Sequence, residues 1–275
     1  MSFSSASAIS LVLAALTSCC SAFAQDSREQ AWLILRANVS EKDTGKRAQA
    51  VRVLGLLRGE SEALQMARKA LGDEKPEVRA AAATALGQMR ARQSIPRLRT
   101  LLSDKDPSVV LAAASALITF KDQSAYDVYY EVLTGERKTG KGLIAGEMQT
   151  MKDPKKLAEQ GFNEGIGFVP FAGIGWAAFK TLRTDDVSPV RAAAAKMLAE
   201  DKDPESGEAL VQAASNKSWI VRAAALESIA KRGDPNLLDG IVGALGDENT
   251  SVRCTAAAAV IRLSTIARTP ARKAQ

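Results

Sequence analysis

Asp73-Glu74-Lys75-Pro76-Glu77-Val78-Arg79-Ala80-Ala81-Ala82-Ala83-Thr84-Ala85-Leu86 reads as a turn that opens a helix. An aspartate can accept a backbone N–H at a helix start, and its charge suits the positive end of the helix. Pro76 fits the first helical turn, where the N–H it lacks has no partner to lose. Four alanines follow, the residue that costs least in a helix. Val78, Ala82, Ala85 and Leu86 stand at offsets of 4, 7 and 8, which puts them on one helical face.

The same arrangement recurs along the chain. Its central valines fall at 78, 109, 190, 221 and 252, with separations of 31, 81, 31 and 31 residues, and an earlier copy is marked by Arg47. The face of Val78 returns as Val109, Ala113, Ala116 and Leu117, then as Val190, Ala194, Met197 and Leu198. Val221, Ala225 and Ile229 follow, and then Val252, Ala256, Ala259 and Val260. Six residues before each arginine position stands an acid or an amide: Glu41, Asp73, Asp104, Asp185, Asn216 and Asp247. Second amphipathic helices are predicted at roughly 62–71, 95–102, 125–133, 208–214 and 235–245. Each unit is then helix–turn–helix, with an apolar face that only a neighbouring unit can cover. The expected fold is all-α, a solenoid of about seven two-helix repeats whose end units act as caps, interrupted in the middle by an irregular insertion rich in glycine and aromatics.

The pattern D-x-x-P-x-V-R-x-A-A-A-x-A-L, fullest in residues 73–86, resembles HEAT repeats, in particular the short HEAT-like repeats of phycobilisome lyases. The resemblance covers about 41–121 and 184–264. It implies a hydrogen-bonded ladder between neighbouring repeats, with Asp73, Arg79, Asp104, Asp185, Arg191, Asn216, Arg222, Asp247 and Arg253 at its positions. Val110 stands where an arginine would, so the ladder should break there. An arginine at one place in every repeat could be taken for a phosphate-binding row, but such regularity favours a packing role. Repeat arrays of this kind serve as binding surfaces for many partners, so the pattern speaks to fold more than to function.

Composition narrows the chemistry. The chain has 275 residues, 46% apolar, 25% charged and 5% aromatic, with a formal net charge of +6. It contains no histidine, which excludes a histidine general base and every triad built on one. Its three cysteines are Cys19, Cys20 and Cys254, too few outside the leader for a disulfide framework or a Cys/His zinc site. No catalytic set, cofactor or metal is expected.

Residues 1–24 carry no charge and end in Ala22-Phe23-Ala24, a small-x-small signature of an export leader. Leu16-Thr17-Ser18-Cys19 offers a second reading, cleavage at 18 and a lipid anchor on Cys19. An exported protein, periplasmic or secreted, is expected. The remaining chain divides into N-terminal repeats at 27–134, a degenerate repeat with a hydrophobic insertion at 135–183, C-terminal repeats at 184–264 and a basic, frayed tail at 265–275.

Nine of the eleven aromatics outside the leader lie between Phe120 and Phe179. Tyr126, Tyr129 and Tyr130 share one helical face, and Phe168, Phe171 and Trp176 lie in the Gly-rich segment 161–179. Three readings of that segment stand: a loop packed into the solenoid, a hydrophobic patch for a partner, or a contact with a membrane surface. Arg90, Arg92, Arg97 and Arg99 cluster without an intervening acid and could meet an acidic partner, although a solvated charged edge is the commoner meaning. Together these features predict a non-catalytic, monomeric scaffold of the bacterial envelope. It would bind a protein through the solenoid surface and the aromatic-rich 120–179 region. The alternatives are a membrane-surface or hydrophobic-ligand binder working through 161–179, and a lyase-like enzyme accessory factor. Nucleic acid is disfavoured, because export and a small charge excess both argue against it.

Overall fold

The computed structural model describes residues 26–134 and 188–273, and the helices in them are numbered here in chain order. They are α1 (26–38), α2 (Thr44–Val53), α3 (Ser61–Ala70), α4 (Pro76–Gln88), α5 (Ile95–Thr100), α6 (Pro107–Thr119) and α7 (Gln123–Thr134). After the gap come α8 (Ser188–Met197), α9 (Pro204–Ala213), α10 (Trp219–Arg232) and α11 (Thr250–Lys273). No strand occurs among the described residues. The fold is an all-α solenoid.

Helices α4, α6, α8, α10 and α11 carry the repeated valine face, buried in most of them, and α2 is the first helix of the earlier copy, with Lys46 at the valine position. Val78, Ala82, Ala85 and Leu86 are inaccessible to solvent, as are their counterparts Val252, Ala256, Ala259 and Val260. Alanine keeps the helices close. At Gly87 a Cβ would stand only 2.9 Å from that of Ala116, so α4 and α6 touch almost backbone to backbone there. The exception is α8, where Val190 is 38% and Met197 78% exposed, and Ala192 and Ala195 supply the buried face instead. Residues 135–187, which lead into α8, lie outside the described residues.

The unit starting at Pro235 departs from the predicted helix at 235–245. It forms two short 3-10 turns, Pro235–Leu237 and Val242–Gly246. Gly240, Gly243 and Gly246 each weaken a helix by about 1 kcal/mol relative to alanine. Gly240 also lies so close to α9 that a Cβ would meet Val211 at 2.7 Å.

The stacking order is not the chain order. Helix α2 packs on α4 and α4 on α6; α8 packs on α10 and α10 on α11. Helix α11 then packs on α2, so the C-terminal repeats continue the stack at its N-terminal side. Helix α1 completes this junction. Ala31, Trp32 and Leu35 are buried, and Arg28 donates to both Glu60 and Thr265 of α11. Arg36 of α1 donates to Glu62 of α3, 26 residues on, as Arg68 of α3 donates to Ser94 beside α5 across the same interval. Among the described residues α1 thus stands as a second helix at this junction and α11 as a first helix, and the two are tied by Arg28 and Thr265. For the same reason α11 continues to Lys273 where a frayed tail was expected from 265: Thr265 bonds Glu60, and Ile266 packs at Gly233.

Candidate functional site

The ladder positions are built by the turns that open the first helices. Arg79 donates from Nε and Nη2 to the Asp104 carboxylate at 2.8 and 2.7 Å, and from Nη1 to the carbonyls of Asp73 and Glu74. One guanidinium thus ties its own turn to that of the next repeat. Arg47 holds Asp73 at 2.9 and 3.0 Å, and Arg222 holds Asp247 at 2.7 and 2.9 Å, in the same two-pronged way. Arg253 reaches the carbonyls of Asp247 and Glu248 and the hydroxyl of Thr250. Among the described residues Arg191 and Asn216 are not joined; the Asn216 amide oxygen accepts from the Ser218 N–H instead. Asp185 lies outside the described residues. The Arg79 hydrogen bonds hold the Asp104 carboxyl below its ordinary pKa against the opposing effect of burial. For Asp73 and Asp247 burial pushes upward, and the Arg47 and Arg222 contacts, with backbone N–H bonds, bring the net shift down.

A second set of staples runs along the second helices: Arg36 to Glu62, Arg68 to Ser94, and Arg99 to Asp122. The sequence reading missed it. Its trace is the spacing of Arg36, Arg68 and Arg99, 32 and 31 residues apart.

The four clustered arginines accordingly separate. Arg99 is paired, since Asp122 accepts its Nη2 at 2.7 Å and is itself only 6% exposed. Arg97 faces solvent on α5. Arg90 and Arg92 sit in the turn between α4 and α5, both exposed. Tyr126 is 47% exposed on α7. Tyr129 and Tyr130 belong to α7, but their side chains lie outside the described residues, as do Phe168, Phe171 and Trp176.

Other chemistry is sparse. Cys254 is fully buried, and burial pushes its thiol up to about 12, so it is neutral at ordinary pH. Among the described residues no group of His, Cys, Asp or Glu could hold a metal ion, and no helix is long and apolar enough to cross a membrane. An open cleft of about 500 Å³ is lined by Ala199, Glu200, Asp201, Lys202, Lys231, Arg232 and Asp234. Arg232 is committed there to the carbonyls of Asp201 and Asp203.

Comparison with known proteins agrees with this geometry. The family model for HEAT repeats matches residues 31–118, 73–138 and 177–264. No curated protein sequence matches the chain. Among solved structures, the CpcE–CpcF complex of phycocyanin lyase from Nostoc sp. PCC7120 is 25% identical, with 77% of this chain and 80% of that one covered and a TM-score of 0.35. Human deoxyhypusine hydroxylase is 16% identical, with 88% and 98% covered and a TM-score of 0.33. An engineered protein is 15% identical, with 88% and 97% covered and a TM-score of 0.28. With the repeat match extending over most of the chain, and with first helices that bury one valine-centred face and tie their turns by arginine, the protein belongs to the HEAT-repeat family.

Proposed function

We propose that the protein is a non-catalytic scaffold that recognises another protein through the solvent-facing side of its second helices. The observation that carries this reading is that successive second helices each present an exposed long side chain, Lys69 on α3, Arg97 on α5 and Tyr126 on α7. None of them belongs to the staples that hold the repeats together. Part-exposed tyrosines and arginines are the kind of side chain that dominates protein interfaces. The buried, neutral Cys254 supports a non-catalytic role over a thiol-based reaction. The leader-like first 24 residues support a place outside the cytoplasm, as a soluble or lipid-anchored protein of the envelope.

The test is a pull-down from native extract with the intact protein and with its Tyr126→Ala and Arg97→Ala variants, helicity being checked by circular dichroism. A partner retained by the parent and lost from both folded variants is expected. Retention of the same partners by all three proteins would remove this face from the account.

A further inference from the structure

Each first helix ends in a turn toward its second helix, and in two successive repeats that turn holds a cation in a conformation that favours glycine. Arg90 has φ 54° and Lys121 φ 59°, whereas the left-handed turn positions at Gly59 and Gly233 carry glycine. The geometry is a helix-terminating turn: Ala91 N–H bonds the carbonyl of Leu86 and Asp122 N–H that of Leu117. Glycine is the usual residue at such a place, because a side chain there costs free energy in the left-handed region. Arg90 and Lys121 are 31 residues apart, the same position of adjacent repeats. Strain at one register in two repeats, each time on an exposed cation, marks a place where something other than stability is served.

The neighbouring turn positions of the N-terminal repeats agree in sign. Arg58 and Arg92 stand in the same row of turns and are exposed. In the turns that follow α2, α4 and α6 the carboxylates are already taken: Glu60 by Arg28 and Thr265, and Asp122 by Arg99 and Ser124. The row continues across the junction, where Arg262 of α11 donates to the Leu56 carbonyl. Burial, and then repulsion by Arg58, lower the pKa of Arg262. At the opposite edge of the stack, cations alternate with acids in Glu41-Lys42-Asp43 and Glu74-Lys75. Along this edge the basic stretch is that of α2, α4 and α6; the corresponding turns after α8 and α10 carry Asp201, Asp203 and Asp234 beside Lys202.

We infer that Arg58, Arg90, Arg92 and Lys121 form a docking edge for an extended acidic segment of a partner protein. The inference rests on the scaffold reading and adds a second surface with a defined chemistry. Neighbouring repeats set the cations about 10 Å apart, and an extended peptide advances about 10 Å in three residues. An acid at every third position would therefore meet one cation per repeat. The apolar residues beside the cations, Leu57, Met89, Ala91 and Phe120, are all buried. The edge thus offers neither a stacking platform for single-stranded nucleic acid nor an apolar anchor for a membrane.

The test measures binding of poly-glutamate to the full chain and to the Arg90→Gly/Lys121→Gly double variant. Lys42→Gln/Lys46→Gln serves as a control that removes the same charge from the opposite edge. The glycine variant is expected to bind at least about tenfold more weakly at low salt while melting no lower than the parent, since glycine relieves the left-handed turns. The control should bind within about twofold of the parent. Equal weakening in both variants would reduce the effect to net charge and overturn the inference. So would unchanged binding in the glycine variant, or duplex DNA or anionic vesicles binding more tightly than poly-glutamate with the same sensitivity. None of these outcomes bears on the Tyr126 and Arg97 pull-down, so the two readings can fail separately.

Discussion

Arg262, in the last helix, donates from Nη1 to the carbonyl oxygen of Leu56 at 2.8 Å, across 206 residues of sequence. The contact belongs to the junction at which α11 stacks on α2 and Arg28 of α1 reaches Thr265 of α11. Two half-repeats from the ends of the described chain make one whole repeat there. Since α11 packs on α2 as well as on α10, the six first helices form a single stack.

Removing Arg262 should therefore loosen the stack at a point remote in sequence. Arg262→Met keeps most of the apolar stem but leaves the Leu56 carbonyl without this donor, a loss of about 1–2 kcal/mol. Hydrogen exchange should rise in α1 and α2 as well as in α11. A rise confined to α11 would mean that the junction contributes little.

The inter-repeat staples give a second expectation. Arg79→Ala takes away both bonds to Asp104 and leaves that carboxylate, 10% exposed, without its guanidinium. A loss of about 2–3 kcal/mol follows from charge-assisted hydrogen bonds of this kind. Arg79→Lys should recover only part of it, because an ammonium cannot reproduce the two-pronged contact. Urea denaturation of the three proteins decides the matter.

These aspartates also set the acid limit. The carboxyls of Asp73, Asp104 and Asp247 titrate below their ordinary range in the folded chain. A carboxyl with a depressed folded pKa stabilises fully above its unfolded value, about 3.9, and loses that contribution as pH falls through the lower folded value. The melting temperature should be flat above about pH 5 and fall below about pH 4. In Arg79→Ala that acid-dependent fall should be smaller.

Equivalent positions in different repeats should respond differently. Val221 is 2% exposed, and Val221→Ala should cost about 2 kcal/mol for its lost methyl groups and the cavity they leave. Val190 holds the same repeat position on α8 but is partly exposed, so Val190→Ala should stay within about 0.5 kcal/mol. Cys254 should resist a thiol reagent at pH 8 until the protein unfolds, because it is both inaccessible and neutral.

Much of this architecture was legible because its cause is periodic. Val78, Val109, Val221 and Val252 share a helical face and a spacing, and burial of one face per repeat follows from that. The junction was not legible. The valine-centred pattern does not reach helix α1, and nothing local to it tells which distant helix it will meet. The failed helix at 235–245 was visible in part through Gly240 and Gly243, but the apolar spacing outweighed them in the reading. The clustered arginines looked alike in sequence and differ in structure, since Asp122 lies 23 residues from Arg99 and reaches it only through stacking. The positive φ of Arg90 and Lys121 had no signal at all, for both stand where glycine is the ordinary choice.

The stacking of the last helix on the first repeat is tested most directly by a distance between spin labels at Arg58 and Ala267, both exposed. Adjacent helices at a separation of about 10 Å predict a single short distance, within about 25 Å, in the intact protein. A population centred beyond about 50 Å, as an array running strictly in chain order would give, would contradict the junction and break the basic edge at Arg58.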